Sequence, residues 1–84
     1  MQYSLYHKQT CPYCLKVRAV IDELGIQDQI PLVDVYANPA DYDFLVEQAG
    51  RRMIPCLRIQ QDGQSDQWMY ESSDIIDYLR QQFA

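Results

Sequence analysis

Tyr3-Ser4-Leu5-Tyr6-His7-Lys8-Gln9-Thr10-Cys11-Pro12-Tyr13-Cys14 is the stretch on which the fold turns. Tyr3 to Tyr6 is short, apolar and β-prone, which predicts a first strand. Cys11-Pro12 predicts the start of a helix, because proline suits the first helical position, where its missing N–H costs nothing. Val17, Val20, Ile21 and Leu24 follow at helical spacing as the buried stripe, and Gly25 is the stop. Two cysteines three apart therefore fall at a helix amino end, one at its mouth and one a turn inward.

That placement suits disulfide exchange. Cys11 sits beside unpaired backbone N–H groups and the positive end of the helix dipole, which favour thiolate over thiol. Lys8 adds positive charge nearby. Cys14 is expected to be the more buried thiol, placed to attack a mixed disulfide formed at Cys11. A C-x-x-C pair can also be half of a zinc site, and His7, Cys11, Cys14 and Cys56 make a Cys₃His set on paper. No second paired motif accompanies them, so no metal is expected.

Outward from the motif, Ile30 to Tyr36 contains a second strand, Leu32-Val33-Asp34-Val35. Asn38-Pro39 reads as cap and first-turn proline of a second helix, with Tyr42, Leu45, Val46 and Ala49 inward and Gly50 as its end. Cys56 to Ile59 is a strand, Asp62-Gly63 supplies hairpin chemistry, and Gln67 to Tyr70 returns as its partner. Ser72 and Ser73 are candidate caps for a last helix carrying Ile75, Ile76, Leu79 and Phe83. The order β-α-β-α-β-β-α predicts an α/β layered domain with a four-stranded mixed sheet. Its length of 84 residues makes residues 1–84 one domain.

Composition narrows the function classes. The apolar fraction of 48% is that of an ordinary globular chain. A net charge of −5 argues against nucleic acid, whose phosphates require a basic surface. The start Met1-Gln-Tyr-Ser lacks a basic region and long apolar run, and no stretch approaches a membrane span. The expectation is a monomeric cytoplasmic protein, and three cysteines suit a reducing compartment. Lys8, Lys16 and Arg18 flank the cysteine motif, while Arg51, Arg52 and Arg58 flank Pro55, a distribution that suggests an anion site.

The segment His7-Lys8-Gln9-Thr10-Cys11-Pro12-Tyr13-Cys14 resembles the active-site segment of dithiol glutaredoxins, and the element order is that of the glutaredoxin branch of the thioredoxin fold. The resemblance implies a glutathione-dependent thiol–disulfide oxidoreductase that reduces protein disulfides and glutathione mixed disulfides. Cys11 would be the nucleophile and Cys14 the resolving thiol. Glutathione is implied as co-substrate with no tightly bound cofactor, and disulfide-bearing or glutathionylated proteins as partners. Lys8 and Tyr13 would contact the tripeptide. Ile54-Pro55 would be the family's X-cis-Pro pair, with the Ile54 backbone bonding the cysteinyl part of glutathione. From the residues alone, Pro55 could equally be a trans proline opening a strand.

The chain also departs from the glutaredoxin pattern. It reads Met53-Ile54-Pro55 where many members have Thr-Val-Pro, and Tyr70-Glu71-Ser72-Ser73-Asp74 where they often have a Gly-Gly pair and an Asp. Glu71-Ser72 resembles the dipeptide that holds the γ-glutamyl end of glutathione in glutathione S-transferase N-terminal domains. Ser72 would offer a hydroxyl and a helix-start N–H to the carboxylate, and Glu71 a counter-charge to the amino group. A complete transferase needs a further helical domain, and the chain ends at Ala84, so transferase is not the expected main function. A glutathione-binding or transferase-like module with little redox turnover is the alternative. A glutathione-ligated iron–sulfur dimer is disfavoured by the proline after Cys11. Cys56 reads as a small apolar strand residue, with redox participation as the other option.

Overall fold

A computed structural model describes residues 1–83. Its elements are β1 (Gln2–His7), α1 (Pro12–Leu24), β2 (Leu32–Asp34), α2 (Pro39–Ala49), β3 (Cys56–Gln60), β4 (Gln67–Met69) and α3 (Ser72–Phe83). A 3₁₀ turn at Gln27–Gln29 leads into β2. Proline at the head and glycine just past the tail delimit both α1 and α2. Gly25 takes φ +68°, a left-handed conformation open to glycine without Cβ strain, and lets Ile26 N–H reach the Ile21 carbonyl at 3.2 Å.

The four strands stand in the order β2-β1-β3-β4, with β1 and β2 parallel and the other pairs antiparallel. This is the thioredoxin-like α/β arrangement with a mixed sheet that the sequence predicts. Alternation along the strands sorts side chains to two faces. Tyr3, Leu5, Leu57 and Ile59 join Val17, Val20 and Ile21 of α1 and Ile75 and Leu79 of α3 in one core. Tyr6 and Cys56 face the other way, against Leu45 of α2 and Val35. Helices α1 and α3 therefore share one face, and their amino ends can flank a single site.

Three local expectations need correction. The second strand ends at Asp34, because the Asp34 carboxylate accepts the Tyr36 and Ala37 N–H groups at 2.9 and 3.0 Å and turns the chain out of the sheet. Asn38 occupies the cap position of α2 but makes no side-chain capping bond. The third concerns α3. It begins at Ser72, and the Glu71 carbonyl accepts the first intrahelical bond from Ile75 N–H at 2.9 Å. Glu71 is thus at the cap position, Ser72 is the first helical residue, and Ser73 is the second.

Candidate active site

The approach to Cys11 is a tight turn closed by the Cys11 N–H on the Lys8 carbonyl at 3.2 Å. Arg18, one turn beyond Cys14, donates to the Gln9 carbonyl at 2.6 Å and so fixes that turn to α1. Its other nitrogen meets Nδ1 of buried His7 at 3.4 Å. Guanidinium can only donate, so His7 accepts through Nδ1 in its neutral form. Burial first, and then the Arg18 charge, lowers the His7 pKa against the opposing pull of Asp34. The loop that presents Cys11 is thereby anchored on both sides.

Cys11 is extended, with φ −75° and ψ 123°, at the cap position of α1. As a thiol it makes no capping bond. Partial burial pushes its pKa up, but this is outweighed by the Cys14 N–H, the Cys14 thiol, the Tyr13 N–H and the Lys8 ammonium, which together hold it below the ordinary thiol value. These donors all favour the charged form. Cys14 is fully buried, and burial, reinforced by the neighbouring Cys11, pushes its pKa up to about 11. The pair is thus divided into a partly exposed, acidic sulfur and a buried, protonated one, both present as free thiols.

Beside this mouth lies a groove of about 210 Å³. It is lined by Tyr13 from α1, Ile54 and Pro55 from the loop before β3, and Glu71 and Ser72 at the start of α3. The Ile54–Pro55 bond is cis. Five of the predicted contact residues, scattered over three segments of sequence, therefore meet at one concavity. Met53 and Tyr70 complete its lining, and sequence reasoning did not single them out as contacts. The signal for both was only their adjacency to Ile54-Pro55 and Glu71-Ser72.

Lys8 does not line the groove. Its Nζ lies 4.3 Å above the Tyr36 ring, and Arg52 lies 4.3 Å above the Tyr42 ring. Tyr36, Tyr42 and Arg52 border a second hollow of about 250 Å³ with Val35 and Pro39. In the sequence Arg52 stands out only as a cation near Pro55. Arg58, which stands out likewise, is committed elsewhere: it bonds Asp66 at 2.7 and 2.9 Å and lies 5.2 Å from both the Phe44 and Trp68 rings. Cys56 is fully buried, and burial pushes its pKa up to about 12, which disfavours its thiolate. A larger cavity of about 490 Å³ lies between α1 and β2, lined by Leu15, Ile21, Ile30 and Leu32 among others, without either motif cysteine. Among the described residues, no three His, Cys, Asp or Glu side chains gather in a group able to hold a metal ion. No helix among them is long and apolar enough to cross a membrane.

Known proteins share this fold. The family model described as glutathione S-transferase, N-terminal domain, matches residues 10–82. Prostaglandin E synthase 2 of Mus musculus is 35% identical over 80 residues, which is 95% of this chain and 19% of that protein. Glutaredoxin 3 of Escherichia coli K12 is 31% identical over 56 residues, 67% of this chain and 65% of its own. Glutathione transferase Omega 2C from Trametes versicolor superposes with a TM-score of 0.77 over 98% of this chain and 38% of that one, at 13% identity, a likeness of fold. The chain thus spans less than two thirds of each of these proteins. With the family model covering nearly all of its length, the chain belongs to the glutathione S-transferase N-terminal domain family.

Proposed function

We propose that this domain is a glutathione-dependent thiol–disulfide oxidoreductase acting through Cys11 and Cys14. The observation that carries the reading is an acidic, partly exposed Cys11 backed by a buried, protonated Cys14 next to the Tyr13–Ile54–Ser72 groove. Glutathione is an extended tripeptide with a carboxylate at each end. Ser72, as the first residue of α3, keeps a backbone N–H without an intrahelical acceptor, and its hydroxyl adds a second donor for one carboxylate. Glu71 complements the adjacent ammonium. The Ile54 backbone and Tyr13 ring flank the middle of the ligand. Lys8 and Arg52 are the cations available to the far carboxylate, once drawn off their tyrosine rings.

In the reaction, the Cys11 thiolate attacks the glutathione sulfur of a mixed disulfide. A Cys11–glutathione disulfide forms, the original S–S bond breaks, and the target sulfur leaves as a thiolate that takes a proton from water. A second glutathione thiolate then attacks the glutathione sulfur of the adduct, giving oxidised glutathione and the Cys11 thiolate. By the other route Cys14 loses its proton and attacks the Cys11 sulfur, forming the Cys11–Cys14 disulfide and releasing glutathione thiolate. Two further glutathiones reduce that disulfide. The partners on this reading are disulfide-bearing and glutathionylated proteins in a reducing, cytoplasmic setting.

A second reading is a glutathione-binding, transferase-like module with little redox turnover. It is favoured by the family itself and by the 38% of the Omega transferase that this chain matches. Steady-state assay with a small glutathione mixed disulfide separates the two. Continuous formation of oxidised glutathione by the wild type, retained by Cys14→Ser, supports the oxidoreductase. Binding without consumption of glutathione supports the module.

A further inference from the structure

Met53, Ile54 and Pro55 form one wall of the groove, yet among the described residues no turn or loop bond between backbone groups involves residues 51–55. The segment that leads into this wall is tied down at its start, Arg51. The Arg51 N–H donates to the Tyr70 hydroxyl at 3.1 Å, and the same hydroxyl donates to the Arg51 carbonyl at 2.9 Å. A hydroxyl has one donor and two acceptor sites, so this reciprocal pair uses its hydrogen and one lone pair. The Arg51 guanidinium lies 5.8 Å from the same ring. Tyr70 itself directly precedes Glu71 and Ser72, which form the facing wall, and it spans 19 residues of sequence to reach Arg51.

We propose that Tyr70 is a positioning residue: by holding Arg51, two residues before Met53, its hydroxyl anchors the entry to the Met53-Ile54-Pro55 wall beside the Glu71-Ser72 wall and so sets the spacing of the groove for its ligand. The proposal rests on the reading of this groove as a glutathione site. A tripeptide that bonds the Ile54 backbone with its middle and Ser72 with its end must find both at one fixed separation. Without the clamp, each binding event has to order residues 51–54 first, and that entropy is taken from the affinity. The clamp acts on the ligand's frame and not on sulfur chemistry, since Tyr70 is not among the groups that tune either motif thiol.

Tyr70→Phe keeps the ring and removes only the hydroxyl. Titration with S-methylglutathione, which cannot exchange disulfides, reads the groove alone. The dissociation constant is expected to rise about threefold to tenfold, as ligand binding has to order a segment freed from both of its Arg51 bonds. Hydrogen exchange at the Arg51 amide should accelerate, with exchange at Leu5 and Ile59 in the core and the pH profile of Cys11 alkylation unchanged. Unaltered exchange at Arg51 overturns the clamp. Faster exchange there with wild-type affinity overturns its role in spacing, and faster exchange throughout the core makes Tyr70 a stability residue instead. Failure of the wild type to bind S-methylglutathione overturns the glutathione reading and this inference together, and it shows before any variant is made.

Discussion

The amino ends of α1 and α3 border the same groove but are built differently. At α1 the cap position holds a thiol and the first helical position holds Pro12, which has no N–H to offer. The donors that remain, from Tyr13 and Cys14, favour the Cys11 thiolate and lower its pKa, although the thiol itself makes no capping bond. At α3 the cap position holds Glu71 and the first helical position holds Ser72, which keeps its N–H. One helix end therefore spends its field on a group of its own chain, while the other leaves donors for a group that arrives from outside. The comparison teaches that a helix dipole specifies no function by itself. On the function proposed above, the residues at the cap and first position decide whether it makes a nucleophile or a carboxylate seat.

Cys11→Ser breaks the α1 side of the comparison and has the largest expected effect. Turnover of a glutathione mixed disulfide should fall below detection, because a hydroxyl replaces thiolate neither as nucleophile nor as leaving group. Stability should move the other way. Cys11 makes no capping bond, whereas serine is among the preferred caps, so a gain of up to about 1 kcal/mol is expected in denaturant unfolding. Activity equal to wild type would refute the assignment of Cys11.

The pH dependence of alkylation sharpens the contrast within the motif. Cys11 favours its charged form, so its rate should rise through a midpoint below the ordinary thiol value of ~8.5 and flatten above it. Cys14 should react appreciably only as pH approaches 11. At pH 7 the two sites, separated by mass spectrometry, should differ, with Cys11 labelled first and Cys14 left largely unmodified. The linkage has a definite sign. Because folding raises the Cys14 pKa, its contribution to stability is complete below the unfolded thiol range and is lost as pH climbs from there toward 11. Equal alkylation profiles would show that Cys14 is not shielded.

Much of this contrast was legible in the sequence, for reasons specific to each element. Pro12, the stripe of Val17, Val20, Ile21 and Leu24, and Gly25 all agree on α1, so its amino end could be assigned to the residue. The start of α3 was less legible, because Glu71, Ser72 and Ser73 each carry a plausible cap side chain. The register was decided by tertiary packing, which turns Ile75 and Leu79 onto the same core as α1. Lys8 shows a different limit. Sequence neighbourhood put it near Cys11, and it does lower the Cys11 pKa, but only the folded turn directs its ammonium to Tyr36 and away from the groove. Tyr70 was invisible as a clamp because its partner is the Arg51 backbone, which carries no sequence signature.

Ser72→Ala and Glu71→Ala break the α3 side and should act on affinity alone. A charge-assisted hydrogen bond is worth ~1.5–3 kcal/mol, and exposure at the groove rim moves the expectation to the low end, about a tenfold rise in KM for glutathione substrates. Since Ser72 is the first helical residue and not the cap, its loss should change unfolding free energy by no more than about 0.5 kcal/mol. The Cys11 alkylation profile should stay as in wild type. Reduced stability with unchanged KM would make Ser72 a structural residue and leave α3 without its proposed ligand.

Asn38→Ala tests the comparison at the helix end that borders neither thiol nor groove, and its expected effect is the smallest. α2 begins as α1 does, with a cap residue followed by proline, and asparagine is among the strongest caps. By local rules its removal should cost about 1 kcal/mol. The geometry says otherwise: the Asn38 side chain makes no capping bond, and its amide reaches only the Asp34 carbonyl at a long 3.4 Å. The turn into α2 is held by the Asp34 carboxylate on the Tyr36 and Ala37 N–H groups, and by the Asn38 N–H on the Asp34 carbonyl at 3.0 Å. Alanine keeps that backbone bond. Asn38→Ala should therefore shift unfolding by less than about 0.5 kcal/mol, and Asp34→Ala should lower the denaturant midpoint by more. A full capping loss at Asn38 would mean that α2 follows the local cap rule after all.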